Sequence, residues 1–245
     1  MALLRRWLLW LLAAFVALQL CFVGRIALMA LVDPQSTAFQ RSEAWRLANQ
    51  AERFRWSQQW RSYEQISPQL KRAVIASEDG GFTAHEGVDW DALESAWLRN
   101  EQRAQQAERQ AARARDPNQV KPAKVVGGST ITQQLAKNLL LSGERSLLRK
   151  GQELVLTLAL EACLSKRRIL EIYLNSVEWG EGVFGAEAAA RRYFGKPASQ
   201  LNGWEAARLA VMLPAPKRYE QRPDSAYLTG RASTISARMG SVALP

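Results

Sequence analysis

The feature that most constrains this 245-residue chain is a long apolar run near its N-terminus. Between residues 7 and 24 the one strongly polar side chain is Gln19, and a second apolar run, residues 26–32, follows Arg25. A helix that crosses a bilayer needs about 20 apolar residues, so residues 7–32 predict a transmembrane anchor. Arg5 and Arg6 precede the run, and by the positive-inside tendency they place a short tail, residues 1–6, in the cytoplasm.

A cleaved secretory signal peptide is the alternative to a retained anchor. Such a peptide has a shorter apolar core and an Ala-x-Ala-like cleavage site, and no Ala-x-Ala occurs between residues 10 and 35. The sequence therefore favours the anchor. Under either alternative, the residues after about position 33 lie outside the cytoplasm.

The chain is basic, with 33 Lys and Arg against 23 Asp and Glu and a formal charge of +10. A basic balance favours anionic partners such as nucleic acid, phospholipid head groups or phosphorylated ligands. Location outside the cytoplasm argues against nucleic acid. Residues 99–124 hold seven basic and three acidic residues and so supply +4 of the charge. The two cysteines, Cys21 and Cys163, predict buried thiols and no disulfide framework.

Helical periodicity dominates the rest of the chain, and we find no persuasive strand pattern and no internal repeat. Ser67 and Pro68 are typical of a helix start. The segment 147–164 is apolar over most of its circumference, as expected of a central core helix. The predicted class is mainly α. The predicted divisions are a cytoplasmic tail 1–6, an anchor 7–32, a helical linker 33–65, a domain 66–225 and a C-terminal tail 226–245.

The stretch GGSTITQQLAKN, residues 127–138, predicts a helix start with an unusual polar face. Thr130 and Gln133 match a capping box, with Ser129 as an alternative cap. Helix N-termini carry free N–H groups and partial positive charge, which suits an anion. Thr130, Gln134 and Lys137 share one face at helical spacing, so this row can line a cleft that holds a phosphate. The plainer alternative is a capped surface helix with a solvated lysine.

Two further stretches carry charges where the surroundings make charges costly. Arg149 and Glu153 are i, i+4 neighbours on an otherwise apolar helix, where unpartnered charges are expensive. Glu78 and Asp79 end a helix at its C-terminal side. The helix dipole disfavours anions there, which raises the pKa of a carboxyl group and suits a general base. The lone His85 lacks the ligand spacing of a metal site.

Four motifs, in order, resemble the signatures of the peptidoglycan glycosyltransferase family, which includes the polymerase domain of bifunctional penicillin-binding proteins and their monofunctional relatives. The motifs are EDGGFTAHEG, GGSTITQQLAKN, RKGQELVLTLALE and KRRILEIYLN. A fifth region, residues 182–216, is also similar, and the resemblance covers roughly residues 60–220. Thr157 departs from the Ala of many relatives, and the basic segment 99–124 is longer than usual.

The resemblance implies a lysozyme-like two-lobed α fold behind the transmembrane helix. It also implies an enzyme that polymerises lipid II into β-1,4-linked glycan strands and releases undecaprenyl pyrophosphate. The implied location is the bacterial inner membrane, with a periplasmic catalytic domain. The implied partners are lipid II, the growing glycan strand, membrane lipids and cell-wall synthesis or division proteins, with no nucleic acid.

Carried over by motif, Glu78 would be the general base, and Glu153 would assist. Lys137 and Arg149 would hold the pyrophosphate of the donor. The cofactor expectation is that no metal is obligatory, with Mg²⁺ or Mn²⁺ at Glu153 as an optional addition. The remaining residues implied to shape the site are Asp79, Phe82, His85, Ser129, Thr130, Gln134 and Asn138.

The chemistry fits these roles, because a pyrophosphate leaving group carries its own charge and needs cations more than a protonating acid. A hydrolase that cuts sugar–sugar bonds would instead need an acid and a second carboxylate around the bond. Two alternatives stay open at this point. One is a lytic enzyme of the same fold with Glu78 as the acid, and the other is a non-catalytic scaffold for wall-assembly proteins.

Overall fold

The computed structural model describes residues 1–50, 54–113, 127–141 and 146–245. The described residues are mainly helical, as predicted, with three short strands and three turns of 3-10 helix at Tyr63–Gln65, Ala198–Gln200 and Met239–Ser241. The helices are α1 Ala2–Leu28, α2 Ala38–Gln50, α3 Pro68–Glu78, α4 Trp90–Arg113, α5 Ile131–Leu140, α6 Leu147–Cys163, α7 Lys166–Ser176, α8 Ala186–Phe194, α9 Gly203–Met212, α10 Pro216–Tyr219 and α11 Ala226–Arg238. The strands are β1 Ser57–Gln58, β2 Glu178–Gly180 and β3 Val183–Phe184.

The small sheet was not predicted from the sequence. Its order is β1-β3-β2, with β1 parallel and β2 antiparallel to β3. Strands of two or three residues are too short to show an alternating pattern of apolar and polar residues. The segment 33–65, predicted to be a helical linker, is helical only in α2 and Tyr63–Gln65 among its described residues. Through β1 it joins the domain itself.

The core is a single apolar cluster to which α3, α5, α7 and α9 each contribute fully buried side chains. Helix α9 packs against α3 and α11. The segment predicted to be a C-terminal tail therefore contains a packed helix. Representative fully buried residues are Leu70, Leu135, Ile169, Leu209 and Ala232.

The predicted helix starts are confirmed by the structure. Ser67 caps α3, accepting a hydrogen bond from the backbone N–H of Gln69, and Pro68 occupies the first helical position. Thr130 caps α5 with a complete capping box to Gln133. These side chains satisfy N–H groups that a helix start would otherwise leave unpaired.

Helix α1 is long and apolar enough to cross a membrane, and it also contacts the domain. Its last turn buries Ile26 in the core. Within the apolar run, Gln19 exchanges two side-chain amide hydrogen bonds with Gln152 of α6, at 3.1 and 2.8 Å. Arg168 of α7 donates from Nε to the carbonyl oxygen of Met29, just after α1. Helix α1 is therefore attached to α6 and α7 by packing and by polar contacts.

Helix α6 is not the central core helix that its apolar pattern predicted. One face, with Leu156 and Leu160, is buried, whereas Leu147, Leu148 and Leu158 on the other side are exposed. Helix α6 packs between α5 and α1. The prediction was wrong because an apolar circumference does not show what covers it, whether protein or lipid.

Candidate active site

Glu78, the last residue of α3, lies where α3 meets α5. Its Oε2 accepts a hydrogen bond of 3.0 Å from Nε2 of Gln134, and its Oε1 accepts one of 3.3 Å from the hydroxyl of Ser77. The hydroxyl of Tyr173 donates to Oε1 of Gln134 at 3.0 Å, which fixes the orientation of that amide. Burial raises the pKa of Glu78, against the lowering effect of the two hydrogen bonds, and the charge of Asp79 raises it further.

Asp79, the residue after Glu78, has a supporting position. Its Oδ2 accepts the backbone N–H of Ile131, the first residue of α5, at 2.9 Å, and its Oδ1 lies 2.9 Å from Nε2 of His85. The N–H of Gly87 donates to Nδ1 of His85, so the proton of the neutral ring lies on Nε2 and points to Asp79. Burial raises the pKa of Asp79, while the bonds from His85 and Ile131 lower it. These contacts lock the start of α5 beside Glu78.

The segment before α5 is held against the loop of Gly87. The hydroxyl of Thr130 donates to the carbonyl oxygen of Gly87 at 2.6 Å and accepts the N–H of Gln133 at 3.2 Å. Gly87 has a φ of +86°, and a Cβ placed there would lie 2.7 Å from Cγ2 of Thr157. Thr130 is buried by these contacts, whereas Ser129 is exposed. The loop can therefore approach α6 closely only with glycine at this position.

A small pocket of about 160 Å³ opens on one side of Glu78. The start of α5 forms one wall and α4 forms another. Arg99 of α4 is the basic residue in this wall, so the pocket holds a cation as well as the carboxylates of Glu78 and Asp79. Its described lining residues are Ser77–Gly80, Asp89, Ala92, Arg99 and Gly127–Thr130.

A larger pocket of about 650 Å³ adjoins the other side of Gln134. Its volume falls in the range of small-molecule sites, about 300–1,000 Å³. Lys137, Asn138 and Arg149 line it, so the row predicted on α5 does face a cavity together with the guanidinium of α6. Most of the remaining wall is apolar and comes from α2, the end of α5 and residues 213–216.

One cation of the larger pocket, Arg149, belongs to an ionic group with Glu153 and Lys150. Nη1 of Arg149 donates to Oε2 of Glu153 at 2.9 Å, and Lys150 pairs with Oε1 of Glu153. Nε of Arg149 is buried and makes no hydrogen bond to any described residue. Desolvation by the pocket wall lowers the pKa of Lys137, an effect that Glu153 opposes and Arg149 and Lys150 reinforce. The excess positive charge makes the pocket receptive to an anion.

Three predicted site residues, Phe82, His85 and Glu153, line neither pocket. Phe82 is fully buried, with the ammonium of Lys166 4.6 Å above the centre of its ring. Glu153 is buried behind Arg149 and lines neither pocket. His85 and Glu153 each contact a residue that lines a pocket, Asp79 and Arg149 respectively. Glu161 is a further carboxylate on the largely apolar α6, and it is paired with the hydroxyl of Thr132 and the ammonium of Lys166.

Sequence reasoning missed several residues of this region. Tyr173 follows Ile169 and Leu170 in an apolar helical pattern that does not indicate a site, and Arg99 is one residue of the basic segment 99–124. Lys150 lies beside a predicted residue and completes the ion group of Glu153. The sequence signal for Asp89 and Glu178 was only their acidic nature within short irregular stretches, and Glu178 lies in a strand that was not predicted.

The optional metal expected at Glu153 finds little support in the donor set. Both oxygens of Glu153 are engaged by cations. Among the described residues, a group of three ligand atoms occurs instead at Asp79, His85 and Asp89, within 4.8 Å of one another. Those groups already form the hydrogen bonds that hold α5, the Gly87 loop and the start of α4. We therefore derive no chemical step through a metal.

Comparison with known proteins gives a consistent result. The family model described as Transglycosylase matches residues 46–240. The chain is 50% identical over 232 residues to a biosynthetic peptidoglycan transglycosylase of Burkholderia orbicola, covering 95% of this chain and 87% of the relative. For the proteins of the same name from Burkholderia thailandensis and Burkholderia multivorans, the identities are 50% over 232 and 49% over 233 residues. These cover 95% of this chain and 84% and 88% of the relatives. The chain therefore belongs to the transglycosylase family.

Proposed function

We propose that this protein polymerises lipid II into β-1,4-linked glycan strands of peptidoglycan and releases undecaprenyl pyrophosphate. Its family membership makes it a glycosyltransferase of cell-wall synthesis. The observation that carries the proposal is the position of Glu78. It lines the smaller pocket at the start of α5, and it is hydrogen-bonded to Gln134, which lines the larger pocket with Lys137 and Arg149.

In this proposal Glu78 is the general base. Its raised pKa brings a carboxylate closer to the pH at which it accepts a proton efficiently. An acceptor sugar in the smaller pocket would present its 4-hydroxyl to Glu78. The hydroxyl oxygen would attack the anomeric carbon of a donor in the larger pocket, its proton would pass to Glu78, and the bond to pyrophosphate would break. Gln134 and Tyr173 would hold the base in place.

Lys137 and Arg149 would stabilise the charge of the departing pyrophosphate. Fixed cations in a partly enclosed pocket are worth more to a developing anion than cations in water. Glu153 and Lys150 would orient Arg149, and Asn138 and Ser129 would offer further polar contacts. Asp79, His85 and Thr130 would keep the start of α5 in position. This scheme requires no metal, and a role for Mg²⁺ or Mn²⁺ stays an untested prediction.

Helix α1 suits a substrate that travels in a membrane. We propose a single-pass protein of the bacterial inner membrane with residues 1–6 in the cytoplasm and the domain in the periplasm. Arg5 and Arg6 support this orientation. A membrane-attached domain meets a lipid-linked donor and acceptor at high effective concentration. Wall-synthesis or division proteins are proposed partners, and nucleic acid is not.

Turnover of lipid II by the purified full-length protein in detergent tests the proposal. We expect glycan polymer from the wild type and a loss of about 10²–10⁴-fold in Glu78→Gln. Glu86→Gln, an exposed acid in the same loop, is the matched control and should keep its activity. Lys137→Ala and Arg149→Ala should also lose polymerisation, whereas Arg231→Ala on the exposed side of α11 should not.

Three results would contradict parts of this scheme. Polymer from both the wild type and Glu78→Gln would support the function but show that Glu78 is not the base. Near-normal activity in both Lys137→Ala and Arg149→Ala would show that these cations do not hold the pyrophosphate. Release of muropeptides from purified sacculi, without polymer from lipid II, would make the protein a lytic enzyme.

A further inference from the structure

Two buried polar atoms without hydrogen-bond partners belong to residues of the larger pocket. Among the described residues they are Nε of Arg149, a donor, and Oε1 of Glu178, an acceptor. Buried polar atoms are normally paired, and leaving one unpaired costs about 1–3 kcal/mol. A donor and an acceptor of this kind in one cavity indicate a ligand that supplies both missing partners.

Glu178 is held in a fixed position in the pocket wall by its strand and by burial. It lies in β2, and only 6% of the residue is exposed. Lys217 is its ion-pair partner, with Nζ 3.5 Å from Oε1, a distance too long for a good hydrogen bond. Lys217 makes its shorter contact with Glu43, which also pairs with Arg46. The charge of Lys217 is therefore shared, and Oε1 of Glu178 keeps a free acceptor position.

The chemistry of Glu178 limits what it can bind. A carboxyl group does not attract the pyrophosphate, which belongs with Lys137 and Arg149. In its ionised form the carboxylate only accepts hydrogen bonds, so its partner there is a hydrogen-bond donor. The surrounding wall of Phe39, Val177 and Pro216 offers few competing polar groups. In a glycosyl pyrophosphate, the donors are the hydroxyl groups and the acetamido N–H of the sugar.

We propose that Glu178 is a specificity-determining residue that accepts a hydrogen bond from a sugar hydroxyl or acetamido N–H of the donor substrate while its pyrophosphate is held by Lys137 and Arg149. This inference rests on the proposed function and adds the recognition of the saccharide to it. In this arrangement the pocket binds two parts of one ligand. Residues of α5 and α6 bind its pyrophosphate, and Glu178 of β2 binds its sugar.

The test compares a ligand that carries the sugar with one that lacks it. Equilibrium binding of lipid II and of undecaprenyl pyrophosphate is measured in detergent for Glu178→Ala, in a Glu78→Gln background that prevents turnover. We expect the affinity for lipid II to fall about tenfold or more. The affinity for undecaprenyl pyrophosphate should change less than twofold. Glu181→Ala, an exposed acid in the following turn that does not line this pocket, is the matched control.

The second measurement is polymerisation with Glu78 intact. Glu178→Ala should raise KM for lipid II about tenfold or more, and Glu178→Gln, which keeps an acceptor oxygen, should recover most of that loss. An equal loss of affinity for both ligands would overturn the proposal, because it would show general damage to the pocket. Unchanged affinity for lipid II would also overturn it. A wild type that binds lipid II but makes no polymer would instead contradict the proposed function.

Discussion

Nε2 of Gln134 donates a 3.0 Å hydrogen bond to Oε2 of Glu78, and Oε1 of the same amide accepts a hydrogen bond from the hydroxyl of Tyr173. One amide thus links the end of α3 to α7, and it lines the larger pocket while its partner Glu78 lines the smaller one. The bond favours the charged form of Glu78, while burial favours the neutral form. The proton affinity of the proposed base is therefore a balance that a single amide influences.

Removing this amide should shift the pH dependence of the enzyme. In Gln134→Ala the carboxylate of Glu78 loses a donor, so the pKa of Glu78 should rise above its already raised value. The acid limb of kcat/KM for lipid II should then move to higher pH, since the base must be deprotonated to act.

The pH profile of Tyr173→Phe should move in the same direction but less, because Gln134 stays in place and only its orientation is freed. Gln200→Ala, an exposed glutamine outside both pockets, is the control. An acid limb that stays at its wild-type position in Gln134→Ala would show that Glu78 does not set this limb.

Two glycines of the domain should respond in opposite ways to alanine. Gly87 has a φ of +86°, and a Cβ there would lie 2.7 Å from Thr157 and 2.9 Å from Glu161, so Gly87→Ala should cost at least about 1–3 kcal/mol. Gly151 lies in α6 with nothing within 4 Å of an added Cβ, so Gly151→Ala should stabilise by about 0.5–1 kcal/mol.

Thermal unfolding of the two variants in one detergent measures the difference. Gly87→Ala should also lower polymerisation, because the Gly87 loop holds Thr130 and His85 at the start of α5. A Gly87→Ala protein as stable as the wild type would contradict the close approach of this loop to α6.

Local signals in the sequence predicted helices and their starts well. Ser67, Pro68 and the Thr130 capping box act within a few residues, so they are readable without knowledge of the fold. The i, i+4 pair of Arg149 and Glu153 was predicted for the same reason. The polar face of α5 was predicted from its spacing, and Lys137 and Asn138 do line a pocket.

Features that depend on distant segments could not be predicted. Strand β1 pairs with β3 across more than a hundred residues, and neither strand is long enough to show a pattern. Phe82 belongs to a motif but is buried, because a motif does not distinguish a residue that touches substrate from one that supports the site. Glu178 became a candidate only when folding placed it in the pocket of Lys137 and Arg149.

The paired amides of Gln19 and Gln152 should couple helix α1 to the domain. Either Gln19→Leu or Gln152→Leu alone leaves the other amide without its partner, whereas the double variant leaves none unpaired. We expect a coupling free energy of about 0.6 kcal/mol, and up to about 1.7, from a double-mutant cycle of thermal unfolding. Strictly additive effects would indicate that the two side chains do not interact in the membrane-mimetic environment.

Glu178 should make the protein less stable as the pH rises. Burial raises the pKa of Glu178 from 4.5 to about 7, with Lys217 lowering it and Glu43 and Glu220 raising it. Because the folded-state pKa is the higher one, the folded protein holds a proton that the unfolded chain has released. Stability contributed by this proton is present below about pH 4.5 and is lost as the pH rises through about 7.

The loss should amount to at most about 3 kcal/mol, and Glu178→Gln should abolish it, because an amide does not ionise. The measurement is the unfolding midpoint in denaturant at about pH 5 and about pH 8. Glu178→Gln should be more stable than the wild type at the higher pH and similar to it at the lower, while Glu181→Gln should follow the wild type. A wild type and Glu178→Gln with the same pH dependence would show that Glu178 ionises as freely in the folded protein as in the unfolded chain. If Glu178→Gln is more stable than the wild type at the higher pH, the buried carboxylate lowers the stability of the folded protein. Such a cost is expected of a residue that is retained because it binds substrate.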